Sequence, residues 1–92
     1  MKSVHNSEYR AALNVLIEAR KKARLTQRQV SALLAKPQSF VSKYEHGERR
    51  LDVGEFLKII LLIGADPHAA VDEIISASPG IELRVRKRPK KA

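Results

Sequence analysis

The sequence predicts an all-α fold of five short helices, and three observations carry that expectation. Apolar residues recur at helical spacing in successive short runs. Those runs are separated by helix-starting residues (Ser, Thr, Asp, Pro) and helix-stopping residues such as Gly47 and Gly64. Strand-like alternation is confined to one stretch near the C-terminus. A chain of 92 residues is one small domain, expected to span 8–77 between an N-terminal arm over 1–7 and an extension over 78–92.

The first helix is expected over 7–24. Tyr9, Ala12, Leu13, Leu16, Ile17 and Arg20 fall on one face, with Ser7 as its N-cap and a basic end at Arg20, Lys21, Lys22 and Arg24. The second is expected over 27–34. Thr26 caps it, and Gln29 three residues later has capping-box spacing. The third, over 38–45, starts behind Pro37, whose missing N–H costs nothing at a helix start, and stops before Gly47. The fourth, over 53–63, follows Asp52 and carries Val53, Phe56, Leu57, Ile60, Leu61 and Ile63 until Gly64 ends it. The fifth begins at Asp66-Pro67, carries Ala70, Val71, Ile74 and Ile75, and breaks at Ser78-Pro79-Gly80.

Beyond the break, Ile81, Leu83 and Val85 alternate with Glu82, Arg84 and Arg86, which is strand periodicity over 81–86. A lone strand has no partner in a helical chain. It is either a strand paired with its copy across a dimer axis or an extended tail leading into the basic run at 87–92.

Composition narrows the function. The chain has no cysteine, which excludes disulfides, thiolate nucleophiles and thiolate zinc sites. His5, His46 and His68 share no metal-ligand spacing, and no acidic residue converges with a His or Ser in a catalytic pattern, so neither an enzyme, a metal site nor a cofactor is expected. There is no apolar run near Met1, and the longest apolar stretch, 59–65, is too short to cross a bilayer. A cytoplasmic location is therefore expected, without membrane association. The net charge of +8 is unevenly spread: +7 over 1–50, −4 over 51–80 and +5 over 81–92. A basic face on a small domain is the footprint of a polyanion binder.

Residues 25–51, LTQRQVSALLAKPQSFVSKYEHGERRL, hold the most information. Val30, Leu34, Val41 and Tyr44 read as core. Leu33 stands at the edge of that face. Phe40 fits either packing or contact with a thymine methyl. The remaining positions are mostly Gln, Ser, Lys and Arg, side chains that hydrogen-bond base edges and phosphates. Two helices joined by a tight turn can present the second to the DNA major groove.

The stretch LTQRQVSALLAKPQSFVSKYEHGERRLD resembles the helix-turn-helix of the XRE family, the phage-repressor-like and Cro-like DNA-binding proteins, over about residues 9–76. The resemblance implies a five-helix, lambda-repressor-like DNA-binding domain with the third helix in the major groove. It implies that Gln38, Ser39 and Lys43 face base edges. The side-chain chemistry agrees, since an amide can pair with adenine and a lysine can donate to guanine. By the same resemblance Gln27 touches phosphate and braces Gln38. Arg28, Ser42, His46, Arg49, Arg50 and the nearby Lys36 complete the phosphate contacts, and Arg20 with Glu45 forms an internal ion pair between the first and third helices. Two positions depart from the family. Ser31 stands where alanine is common, and Ala35 where glycine is common; alanine at positive φ is mildly strained.

The function so implied is a sequence-specific transcriptional regulator, by default a repressor, binding double-stranded DNA at a palindromic operator as a homodimer. Ile74, Ile75, Ile81, Leu83 and Val85 are the candidate dimer interface, their alternative being packing within the domain. Two rival readings remain: an antitoxin that binds a toxin partner and represses its own operon, and a nucleoid-type binder with little sequence preference.

Overall fold

The computed structural model describes residues 7–78. Residues 1–6 and 79–92 lie outside it. The expected arm and C-terminal extension, with its strand over 81–86 and basic run over 87–92, therefore fall almost wholly beyond the described residues. Five helices follow one another: α1 Ser7–Lys22, α2 Gln27–Leu33, α3 Phe40–Glu45, α4 Val53–Ile63 and α5 Pro67–Ser76. Among the described residues there is no strand, and no helix is long and apolar enough to cross a membrane.

The helix starts follow local chemistry. Thr26 Oγ1 accepts from Gln29 N at 3.0 Å while Gln29 Oε1 accepts from Thr26 N at 2.8 Å, a complete capping box. Asp52 and Glu55 repeat the arrangement at α4, with Glu55 N donating to Asp52 Oδ1 at 2.7 Å. Asp66 caps α5 ahead of Pro67. Ser7 differs from expectation. As the first described residue it is already helical, and its hydroxyl meets Glu8 rather than closing a cap.

The ends of α1 to α4 share one device. Arg24, Ala35, Gly47 and Gly64 have φ of 60°, 56°, 81° and 93°. In each case the next residue's N–H reaches back to the carbonyl five residues earlier, as in Leu25 to Arg20 at 3.1 Å and Lys36 to Ser31 at 2.9 Å. This explains why α1 stops at Lys22 and not at 24: the left-handed turn at Arg24 aims the chain at the Thr26 cap. The third helix also starts later than expected. Phe40 N donates to Pro37 O at 2.9 Å, a tight turn that leaves Gln38 and Ser39 ahead of α3.

The core lies where α1 meets α3, α4 and α5, with α2 packed on α3 and α4. Leu16, Val30, Val41, Tyr44, Ile59 and Ile60 are fully buried. The α1 stripe is wider than its periodicity suggests and includes Ala11 and Val15, because helices cover it on more than one side. On α4 the buried side is centred on Ile59 and Ile60, whereas Val53, Leu57 and Leu61 face outward. Phe40 is buried edge-on against Tyr44, with ring centroids 5.5 Å apart, which decides for packing. Leu33 is exposed. Burial pushes the Tyr44 phenol above its ordinary range, and its hydroxyl has no hydrogen-bond partner among the described residues.

One polar network sits inside this apolar frame. Arg20 Nε donates to Glu45 Oε2 at 2.7 Å and Arg20 Nη2 to Oε1 at 3.1 Å. Arg20 Nη1 reaches Leu25 O at 3.0 Å, and Gln27 Nε2 donates to Glu45 Oε1 at 2.8 Å. The side chains of Arg20 and Glu45 are only 13% and 6% exposed. The bond to Glu45 raises the Arg20 pKa above its usual value, and burial opposes that only in part. Removing one partner of such a pair leaves the other charged and poorly solvated, a loss of about 3–5 kcal/mol. Glu45→Ala is therefore expected to lower the melting temperature by many degrees; a melt within a degree or two of the parent would refute the structural role of the pair.

Candidate nucleic-acid interface

The exposed side of α3 is small and polar. Ser39, immediately before the helix, and Ser42, Lys43 and His46 lie at the spacing of one helical face, i, i+3, i+4 and i+7. Phe40, Val41 and Tyr44 take the opposite face into the core. The core thus holds α3 by one side and leaves the other open. Gln38, Ser39 and Lys43 are exposed, and Ser42 is half-buried. Ser39 makes no side-chain cap bond to α3.

Ser31 sets the spacing between α2 and α3. It is buried, its hydroxyl donates to Gln38 O at 3.2 Å and it accepts from Val41 N at 3.2 Å. A small residue at a helix crossing is readable in sequence. The added hydroxyl also ties the start of α3 to α2, which spacing alone did not reveal.

Gln27 is brought to Glu45, not to Gln38: its amide is the third side-chain donor around that carboxylate, beside the two N–H groups of Arg20. Arg28 is exposed on α2. Lys36 Nζ, from the turn before α3, lies 5.4 Å from the Phe40 ring centroid, and the Arg49 guanidinium, from the loop after α3, lies 4.9 Å from the same centroid. His46 Nδ1 sits 2.8 Å from Ser42 O. A carbonyl can only accept, so Nδ1 carries the proton and Nε2 faces away from that bond.

The loop between α3 and α4 is held more firmly than a run of basic residues suggests. Arg49 Nη1 and Nη2 donate to Glu55 Oε1 and Oε2 at 3.1 and 2.9 Å, and Nη1 also reaches Arg50 O at 2.9 Å. That fork holds the Glu55 carboxyl below the usual carboxylate range and raises the Arg49 pKa. The Arg50 guanidinium stacks over the Tyr9 ring at 4.2 Å, and the Tyr9 hydroxyl accepts from Leu51 N at 3.0 Å. Reading the sequence for DNA contacts missed Glu55 and Tyr9. Glu55 stands three residues after Asp52, a signal that could have marked it as a capping partner, whereas nothing local links Tyr9 to residue 51.

A helix-turn-helix family model matches residues 16–68, more than half of the chain. Among solved structures the chain is similar to an XRE-family like protein from Pseudomonas syringae pv. tomato str. DC3000, with 47% identity, a TM-score of 0.74, and coverage of 84% of this chain and 94% of that one. The chain belongs to the XRE family. No curated protein matches it. As an XRE-family member it is a DNA-binding helix-turn-helix regulator, and the α2–α3 pair is its helix-turn-helix. Among the described residues no group of three or more His, Asp or Glu could hold a metal ion.

Within this XRE-family chain the turn carries measurable strain. Ala35 holds φ +56°, a region where a Cβ costs about 1–2 kcal/mol and glycine is unpenalised. Ala35→Gly gives back part of that gain through the greater freedom of glycine in the unfolded chain. It is expected to stabilise the fold by about 0.5–1 kcal/mol, read as a higher midpoint in urea with an unchanged slope.

Proposed function

We propose that this chain is a sequence-specific transcriptional regulator, acting as a repressor, that inserts α3 into the major groove of a palindromic operator as a homodimer. The observation that carries this reading is the one-sided mounting of α3. Its polar face, Ser39, Ser42, Lys43 and His46, is presented outward with Gln38 beside it, while the Lys36 turn leads into it and the Arg49-Arg50 loop follows it in the chain.

In this reading Gln38, Ser39 and Lys43 read base edges. Arg28, Lys36, Ser42, His46 and Arg50 meet phosphate, whereas Arg49, expected among them, is already forked on Glu55. Gln27 acts chiefly through Glu45, to which its amide is already bonded. Phosphate contacts set register and bulk affinity, and base contacts supply discrimination, each good pair contributing roughly 1–3 kcal/mol. The protein works as a binding module in the cytoplasm, without catalysis or a cofactor.

Two copies place two recognition helices about 34–36 Å apart on one face of the duplex. The proposed interface is α5 and the segment after it. Ile75 is exposed, and Ile74 lines an apolar cleft of about 380 Å³ together with Tyr9, Leu57 and Val71. Ile81, Leu83 and Val85, the remaining members of that interface, lie outside the described residues. The same cleft is what favours the antitoxin alternative, since an apolar rim suits any protein partner.

In vitro selection of bound duplexes tests the whole reading: a palindromic motif is expected, and recovery of random sequence would overturn it. Two substitutions then divide the contacts. Lys43→Ala should relax preference at one operator position. Arg50→Ala should weaken all duplexes alike and lower the salt slope by about 1.

A further inference from the structure

We infer that the two arginines of the α3–α4 loop do different work, and that Glu55 sets how tightly this chain holds DNA phosphate. The inference rests on the reading of the loop as a phosphate grip. Arg49 presents its two terminal nitrogens to both oxygens of Glu55 at 3.1 and 2.9 Å. That is the fork geometry with which arginine takes a phosphate. Glu55 thus occupies, in the free chain, the place a phosphate would take on Arg49.

Glu55 is not free to move aside. Its Oε1 also accepts from Asp52 N at 3.0 Å, and its own N–H donates to Asp52 Oδ1 at 2.7 Å, so it is locked into the start of α4. Arg49 is held as well by Arg50 O and by the face of Phe40. A DNA phosphate that engages the Arg49 fork must displace a carboxylate or share the guanidinium with it. Either way the positive charge is already matched, and the counterion release that drives phosphate binding is small. Arg50 is different. Its guanidinium lies on Tyr9, and among the described residues no carboxylate comes within ion-pair distance of it. Arg50 is the phosphate ligand of the loop; Arg49 is a strut whose charge Glu55 already matches. Removing the Glu55 charge while keeping its shape converts Arg49 into a second ligand.

The test is a double-mutant cycle on the full chain: parent, Arg49→Gln, Glu55→Gln and the double variant, with Arg50→Ala alongside. Binding to a duplex of random sequence is titrated across salt. Glutamine at 55 still offers an oxygen to Asp52 N, so the cap of α4 survives, and thermal melts check the fold of each variant. Glu55→Gln should tighten binding and steepen the salt slope by about 0.9. That increases the affinity lost between roughly 50 and 200 mM salt by about 3.5-fold. Arg49→Gln should change parent affinity less than about twofold, yet abolish the gain in the Glu55→Gln background. A Glu55→Gln variant with unchanged or weaker binding overturns the inference. So does an Arg49→Gln loss as large as that of Arg50→Ala, which decides the matter even if Glu55→Gln fails to fold. If Arg50→Ala also binds like the parent, the phosphate-grip reading itself is wrong, a failure distinct from that of Glu55 alone.

Discussion

The carboxylate of Glu45 is the point on which the rest of this structure depends. It stands at the end of α3 and receives two N–H groups from Arg20 of α1 and one from the amide of Gln27 of α2. Three helices are thereby referenced to one atom pair. Arg20 also holds Leu25 O, which fixes the left-handed exit of α1 and so the direction in which α2 sets off. A buried ion pair adds little net stability over an apolar substitute, because desolvation offsets most of its attraction. Its contribution is geometric. Apolar contacts at Val30, Val41 and Tyr44 hold α3 against the core but tolerate small rotations; a three-donor bond at 2.7–3.1 Å does not. For a helix that has to meet base edges, orientation matters more than strength.

The second constraint is brevity. α2 has seven residues and α3 has six, too few to be stable helices on their own. Their ends are therefore closed by strong local devices: a capping box at Thr26 and left-handed stops at Ala35 and Gly47. At Ala35 the stop is made by a residue that resists it. The chain accepts that strain because Lys36 N must reach Ser31 O, and because the same turn carries Ser31 beneath Gln38 and Val41. Turn, helix crossing and recognition face are thus one mechanical unit.

Electrostatics are likewise settled by placement and not by totals. The chain carries a net charge of +8, yet among the described residues two arginines are paired with carboxylates: Arg20 with the buried Glu45, and Arg49 with Glu55 at the surface. The basic groups left around α3 are Lys36, Lys43 and Arg50, with Arg28 on α2. Lys36 and Arg49 both lie against Phe40, so one buried ring ties the turn before α3 to the loop after it. An aromatic that could have touched DNA instead braces the groups around the interface.

By itself the sequence determined the five-helix order, the caps at Thr26 and Asp66, the stops at Gly47 and Gly64, and the family to which the chain belongs. These follow from residue type and spacing, which act within a turn or two of the chain. It also marked Ala35 as a position under strain, since only local backbone sterics are involved. What it did not determine was which polar side chains are taken up internally. Gln27 bonding Glu45, Arg49 forked on Glu55, Tyr9 accepting from Leu51 and Phe40 buried under two cations are decided by groups brought together from different helices. The late start of α3 belongs to the same class, because the Ala35 stop and the anchorage of Gln38 and Val41 on Ser31 set it. The physical reason is the same throughout: a hydrogen bond or ion pair depends on angstrom distances between residues up to 42 positions apart, and only the packed core brings them within reach.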